Sequence, residues 1–210
     1  MDLTRYQREQ ERQAGRQDVP VDHLPVHRWY LRIDDAGQIV ERSVKPRPDC
    51  RFEQADPISV DDYRMLYHTA GENWLWADRR RMSDEDLAVI LSHRDNQVHV
   101  LYEGDEKAGF YELCLRDEAY TEIKYFALLP QFTGRGLGRF MISHALANAA
   151  SRGLPVHIDT CTLDHPAALE NYLKSGFEIY HEEDKIYPDP RLDGVVPPEV
   201  GAHVPPARRA

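Results

Sequence analysis

Three of the chain's 12 glycines, Gly134, Gly136 and Gly138, fall within five residues, directly between a strand pattern and a helix pattern. Upstream, residues 121–129 (TEIKYFALL) read as one long strand that stops at Pro130. Downstream, Phe140, Met141, Ala145, Leu146 and Ala149 recur at helical spacing until Gly153. Glycine lets the main chain come close to a ligand, and a helix N-terminus presents N–H groups that carry partial positive charge. Arg135 and Arg139 would add full charges, so the junction reads as a cradle for a diphosphate. The same spacing also serves a tight turn that binds nothing, and spacing alone does not separate the two. Two other phosphate loops fail on a residue each. A Walker loop counted from Gly134 meets Arg139 where it needs glycine, and a dinucleotide fingerprint meets Arg139 or Met141.

Around this junction the elements alternate. Residues 29–33 and 39–44 flank Asp34-Asp35-Ala36-Gly37 like a hairpin, and residues 51–55 read as a short strand. Ser59 followed by Asp61 and Asp62, and Ser83 followed by acids at 84–86, each announce a helix. Residues 98–102 and 109–115 form two strands about a Glu103-Gly104-Asp105 turn, and residues 155–162 form another. Pro166 opens a short helix closed by Gly176, and a last strand begins at Phe177. The class is therefore mixed α+β with a largely antiparallel sheet.

The ends differ in composition. Residues 1–25 are polar and weakly periodic, suiting a frayed helix or a disordered arm, and residues 26–50 read as a hairpin extension. From Tyr187 the tail holds six of the 14 prolines, which excludes a helix or central strand and suits a segment that wraps the surface or is disordered. The main domain is thus expected over residues 51–186, and the Pro-rich tail over 187–210. With 26 Lys and Arg against 36 Asp and Glu, the net charge of −10 disfavours general nucleic-acid binding and anionic membranes. Three widely spaced cysteines, Cys50, Cys114 and Cys161, suit free thiols better than a disulfide framework. The start of the chain has no apolar signal core, and no apolar stretch is long enough to span a membrane. The expected location is cytoplasmic.

Residues 128–141 (LLPQFTGRGLGRFM) resemble the acetyl-CoA signature of the GNAT N-acetyltransferases, which runs hydrophobic-x-Pro and then Gln/Arg-x-x-Gly-x-Gly/Ala into a helix. About forty residues on, residues 167–177 (AALENYLKSGF) match that family's Ala-x-x-x-Tyr-x-x-x-Gly-Phe segment. The resemblance implies a mostly antiparallel twisted sheet with flanking helices and splayed central strands. It also implies acetyl-CoA as cosubstrate, its pantetheine arm added beside the strand at Phe126, Ala127 and Leu128, and its pyrophosphate held by Gly134, Arg135, Gly136, Leu137, Gly138 and Arg139. A backbone N–H near Ala127 or Leu128 would stabilise the oxyanion. Two positions depart from the pattern: Thr133 stands where Gln or Arg is usual, and His165 where an Asn often contacts the cofactor.

Tyr172 matches the family tyrosine that protonates the leaving thiolate, although a tyrosine at that helical position also serves as ordinary core. Glu122 resembles the base of the histone-acetyltransferase branch, and equally reads as a strand glutamate paired with Lys124 or Arg116. Glu112 and Asp159 are reserves. His157, Asp159 and Cys161 would share one strand face, yet no metal-ligand spacing accompanies them, so no metal is expected. Trp74 and Trp76 either wall an acceptor pocket or anchor the core. The expected activity is transfer of acetyl to a primary amine, on a small molecule or a peptide, by direct attack in a ternary complex. The rival reading is a non-catalytic acyl-CoA sensor of the same fold. The resemblance leaves a homodimer open.

Overall fold

A computed structural model describes residues 4–35 and 47–209. In chain order the elements are α1 (Arg5–Ala14), β1 (His23–Ile33), β2 (Cys50–Ala55), α2 (Val60–Gly71), α3 (Asp84–Leu91), β3 (Asn96–Glu103), β4 (Glu106–Cys114), β5 (Thr121–Leu128), α4 (Leu137–Ala150), β6 (Val156–Cys161), α5 (Ala167–Lys174) and β7 (Glu178–Pro188). The seven strands form one sheet in the order β2-β3-β4-β5-β6-β1-β7. Every neighbouring pair is antiparallel except β5 and β6. This is the mixed α+β class expected, with the largely antiparallel sheet.

Local chemistry accounts for the helix starts. Ser59 accepts from the Asp62 amide and Ser83 from the Asp86 amide, and the acids that follow sit against the positive ends of α2 and α3. Thr4 and Gln7 form a reciprocal capping box on α1. Burial then sorts the helices onto two faces. On one face Tyr63 of α2 meets Glu112 and Phe110 of β4. On the other, His144 of α4 bonds Tyr111 of β4, and Tyr6 of α1 packs near Trp29 of β1. Alternation along each strand places these contacts on opposite sides of the sheet.

Both ends of the chain are more ordered than their composition suggests. Tyr6 is 3% exposed and donates from its hydroxyl to the carbonyls of Thr162 and Asp164, which pins α1. The first arm of the expected hairpin lies within β1, which pairs with β6 on one side and β7 on the other. Its second arm, residues 39–44, lies outside the described residues. β7 runs on to Pro188, past the expected start of the tail. The tail then folds back over the sheet, where Leu24, Val26, Leu75, Cys161, Val196 and Val204 make a second small core. It wraps the surface, and polar anchors described below hold it there.

Candidate active site

β5 is paired with β4 from Glu122 to Leu128, but with β6 only over Thr121, Glu122 and Ile123. Beyond Ile158, β6 continues along β1 alone. A bulge marks the parting point. Glu112 faces Tyr125 and Leu113 faces Ile123, so Lys124 has no opposite number and the strand bends there. The sheet therefore opens between β5 and β6, and among the described residues one backbone edge of 124–128 is unpaired. A free strand edge inside a sheet invites an extended ligand to complete the ladder. Phe126, Ala127 and Leu128 lie on that edge, all partly buried. Gly109 stands opposite Leu128, and a Cβ there would meet the Ala127 carbonyl at 2.6 Å. Only glycine lets β4 run this close, a requirement that sequence reading missed.

At the end of this edge the glycine loop enters α4. Gly134 and Gly136 have φ of +74° and +77°, which favour glycine. No side chain caps α4, and among the described residues the amides of Gly134, Arg135 and Gly136 make no backbone hydrogen bond. Among the described residues, a Cβ on Gly134 would meet nothing within 4 Å. These are the properties of an anion cradle. Leu137 contributes main chain only, since its side chain is fully buried. Gly138 lies in ordinary contact range of Asn171 and Leu128, and the Arg139 side chain is exposed. Arg135 is less free than expected, because its guanidinium pairs with Glu103 at 2.6 Å. Arg47 was not foreseen. It donates to the Arg135 carbonyl at 2.8 Å and lies 3.0 Å from where a Gly136 Cβ would stand. No local signal links a residue so far upstream to the loop.

Tyr172 of α5 is 6% exposed, with its ring edge-on to Phe126 and Phe177. Burial, reinforced by the charges of Asp164 and Asp159, pushes its phenol well above the ordinary range, so it stays protonated at neutral pH. Glu122 is half-buried and pairs with Lys124 at 3.0 Å, the arrangement of the bland alternative, although the pair flanks the parting of β5 and β6. Glu112 is fully buried between the Arg79 guanidinium at 2.6 Å and the Tyr63 hydroxyl at 2.5 Å. That removes it as a reserve base, because no substrate proton reaches it. Asp159 is bound by Arg28 at 2.6 Å. Glu112, Glu122 and Asp159 are thus each matched by a cation. His165 precedes α5, its Nδ1 accepting from the Ala167 amide, and its ring meets Trp74 edge-on at 5.0 Å. Trp76 packs on Tyr67 and Tyr125 and donates from its indole N–H to Asp164. Asp49, Cys50 and Glu103 bring ligand-type atoms within 4.8 Å of one another, but Glu103 is engaged by Arg135.

The acetyltransferase (GNAT) family model matches residues 61–177, more than half of the chain. The chain belongs to this family. Mycothiol acetyltransferase of Corynebacterium efficiens is 25% identical over 147 residues, covering 70% of this chain and 48% of that protein. The mycothiol acetyltransferase of Streptomyces scabiei is 24% identical, covering 65% of this chain and 49% of the relative. The chain spans about half the length of the curated relatives it matches. Among solved structures, a functionally unknown conserved protein from Staphylococcus epidermidis superposes with a TM-score of 0.61 at 17% identity, covering 90% of this chain and 69% of that one. An aminoglycoside acetyltransferase from a soil metagenomic sample, solved in complex with trehalose, gives 0.51 at 15% identity, covering 61% of this chain and 88% of that one.

Acetyl-CoA is the cosubstrate of the GNAT family, and the residues present fit it. Among the described residues, the loop amides are uncapped, nothing stands within 4 Å of where a Gly134 Cβ would lie, and the strand edge leading to them lacks a partner. Arg139 and Arg47 bring positive charge to the loop, and both guanidinium groups lie at the surface rather than in the core. In this GNAT protein the family match takes in both the free strand edge and the glycine loop. Among the described residues, no helix is long and apolar enough to cross a membrane.

Proposed function

We propose that this protein is an acetyl-CoA-dependent N-acetyltransferase that passes acetyl to a primary amine by direct attack in a ternary complex. The observation that carries this reading is the parting of β5 and β6 after Ile123, with a free strand edge leading to an uncapped glycine loop. Phe126, Ala127 and Leu128 hold the pantetheine arm, and a strand amide near Ala127 or Leu128 polarises the carbonyl. The loop from Gly134 to Arg139 holds the pyrophosphate. Bound there, acetyl-CoA supplies an acetyl group activated as a thioester.

The chain's own side chains then handle protons. Glu122 takes a proton from the incoming ammonium through water, with Lys124 fixing its carboxylate. Tyr172, kept protonated by burial, gives a proton to the departing thiolate. Relatives named for mycothiol and a structural neighbour named for aminoglycosides support a small-molecule amine as acceptor.

The test is release of free thiol from acetyl-CoA in the presence of kanamycin, spermidine, glucosamine and a lysine-containing peptide, with calorimetric titration of acetyl-CoA alongside. Tyr172→Phe is expected to lower kcat about 100-fold while leaving the acetyl-CoA Kd within a factor of two. A variant with full turnover would remove Tyr172 from the mechanism. Wild-type protein that binds acetyl-CoA but acetylates no amine would be a sensor instead. The departures from the family pattern at Thr133 and His165 are what favour that second reading.

A further inference from the structure

The C-terminal segment lies outside the matched family region, and besides its anchors on the N-terminal region it makes a set of contacts to one connection. That connection joins α2 and α3, residues 72–82, and carries Trp76. The indole of Trp76 rests on Tyr125 in the free part of β5, with ring centroids 5.2 Å apart. Its N–H reaches Asp164, just past the end of β6, at 3.1 Å. Asp164 is itself fixed by the Cys161 amide at 2.9 Å and the Thr160 hydroxyl at 3.0 Å. One side chain thus spans the two strands that part, on the α2 face of the opening. The seat is tight: a Cβ on Gly71 would meet the Trp76 ring at 2.5 Å.

Trp76 is set by the residue before it. Leu75 has φ of +57°, a left-handed conformation that a leucine keeps only when its surroundings impose it. Those surroundings come from β1 and the tail together. Leu75 is 4% exposed among Leu24, Val26, Val196 and Val204. Gly201, with φ of +67°, lies so close that a Cβ there would meet the Leu75 side chain at 2.6 Å. On either side of this peg the tail grips again. His203 meets Trp74 edge-on at 5.0 Å, and Asp193 pairs with Arg81 at 2.6 Å.

The tail can hold because it is internally tied. Arg191 donates to both Asp189 oxygens, at 2.9 and 2.8 Å, and to the Val204 carbonyl at 3.0 Å. The Ala207 amide returns to Asp189 at 3.0 Å. Both ends are fastened to one residue of the N-terminal region: the Asp189 amide donates to the Asp22 carbonyl, and the Asp22 amide to the Arg208 carbonyl.

We propose that residues 189–209 are a positioning element for the acceptor side of the active site, holding Leu75 so that Trp76 spans the cleft. The inference rests on the acetyltransferase reading for its consequence, and on geometry alone for the holding itself. The glycine loop opens α4 on the other face of the sheet, so loosening the tail changes how the amine is received and leaves acetyl-CoA binding intact.

The experiment uses the full chain with Leu75→Ala, Gly201→Val and Arg81→Ala. Three quantities are read: hydrogen exchange of residues 72–82, the acetyl-CoA Kd by calorimetry, and KM for whichever of kanamycin, spermidine or glucosamine the wild type acetylates. Leu75→Ala and Gly201→Val should speed exchange in 72–82 at least tenfold and raise the amine KM about tenfold, with Kd for acetyl-CoA unchanged within twofold. Arg81→Ala removes only a half-exposed ion pair, folds normally, and should shift both readouts a few-fold. Faster exchange with an unmoved KM overturns the proposal, as does unchanged exchange in all three. Wild type that fails to bind acetyl-CoA defeats the acetyltransferase reading instead, and exchange then decides the holding role by itself.

Discussion

The two sides of the cleft are built from different material. The side that runs from the free edge of β5 into α4 is made of main chain: unpaired strand amides, two left-handed glycines and an uncapped helix end. The side that carries Trp76 is made of side chains brought from distant segments. Arg79 reaches Glu112, Trp76 reaches Asp164, and Leu75 reaches the tail. Main-chain sites need particular residues at particular local positions, so they leave a mark in sequence. Side-chain sites need only that some partner arrives, and any of several elements can supply it.

The largest expected effect sharpens this contrast. Arg79 is carried on the connection between α2 and α3, and its guanidinium is buried against the fully buried Glu112 carboxylate. Burial pushes the Glu112 carboxyl above its usual range, and Arg79 opposes that push. Arg79→Leu strands a charge in the core, which destabilises by about 3–5 kcal/mol. For a chain of this length that lowers Tm by about 10 °C. The double variant Arg79→Leu with Glu112→Leu should recover most of the loss, since a buried pair replaced by apolar groups is often nearly neutral. Thermal melts of the two would check it. A single variant that melts like wild type would show that side-chain anchoring does not hold this half.

A second change tests the main-chain half. Gly136→Val places a β-branched residue at φ +77° with its Cβ against Arg47. The strain is about 1–2 kcal/mol, and the loop is expected to relax by changing shape. The acetyl-CoA Kd, measured by calorimetry, should then rise about tenfold, while the amine KM at saturating acetyl-CoA stays put. Equal losses in both quantities would mean that the two halves are not separable.

The same contrast explains what was legible. Gly134 and Gly136 could be placed at the turn into α4 because a positive φ restricts the residue locally, whereas Tyr172 was singled out only by the resemblance of residues 167–177 to the GNAT segment. The mixed α+β class and the largely antiparallel sheet followed from the alternation of patterns, but the strand order did not. Arg47 was invisible, since nothing between residues 47 and 135 encodes their meeting. Trp76 was legible only as an ambiguous aromatic, because its role depends on Asp164, reached across the opening. For the polar start and the proline-rich end, sequence left a disordered segment open beside a frayed helix and a surface wrap, for a related reason. Composition reports average hydrophobicity, whereas a few buried anchors hold these segments: Tyr6 on two carbonyls, and Asp189 with Arg191. Prolines in the tail exclude regular structure but also reduce the entropy lost on ordering it.

The smallest effect concerns acid. Asp189 is 1% exposed. Burial alone would raise its carboxyl, but hydrogen bonds from the Arg191 side chain and from the amides of Ala207 and Arg191 outweigh it and hold the group below its ordinary value. When the tail opens, Asp189 returns to a value of about 3.9. The opened state therefore binds the proton more readily, and opening is favoured as pH falls. The stabilisation is fully present above pH about 4 and is lost as pH drops through the depressed folded value. Other carboxylates share this direction, notably Asp184 beneath Arg12 and His27, so the wild-type acid profile is a composite. Comparison with Asp189→Asn isolates the tail. At neutral pH the variant should show faster hydrogen exchange over residues 189–209, and on acidification the gap should narrow until the two coincide. A gap that widens in acid would mean that the Asp189 carboxylate strains the tail rather than holding it, and the side-chain half of the cleft would then owe its shape to packing alone.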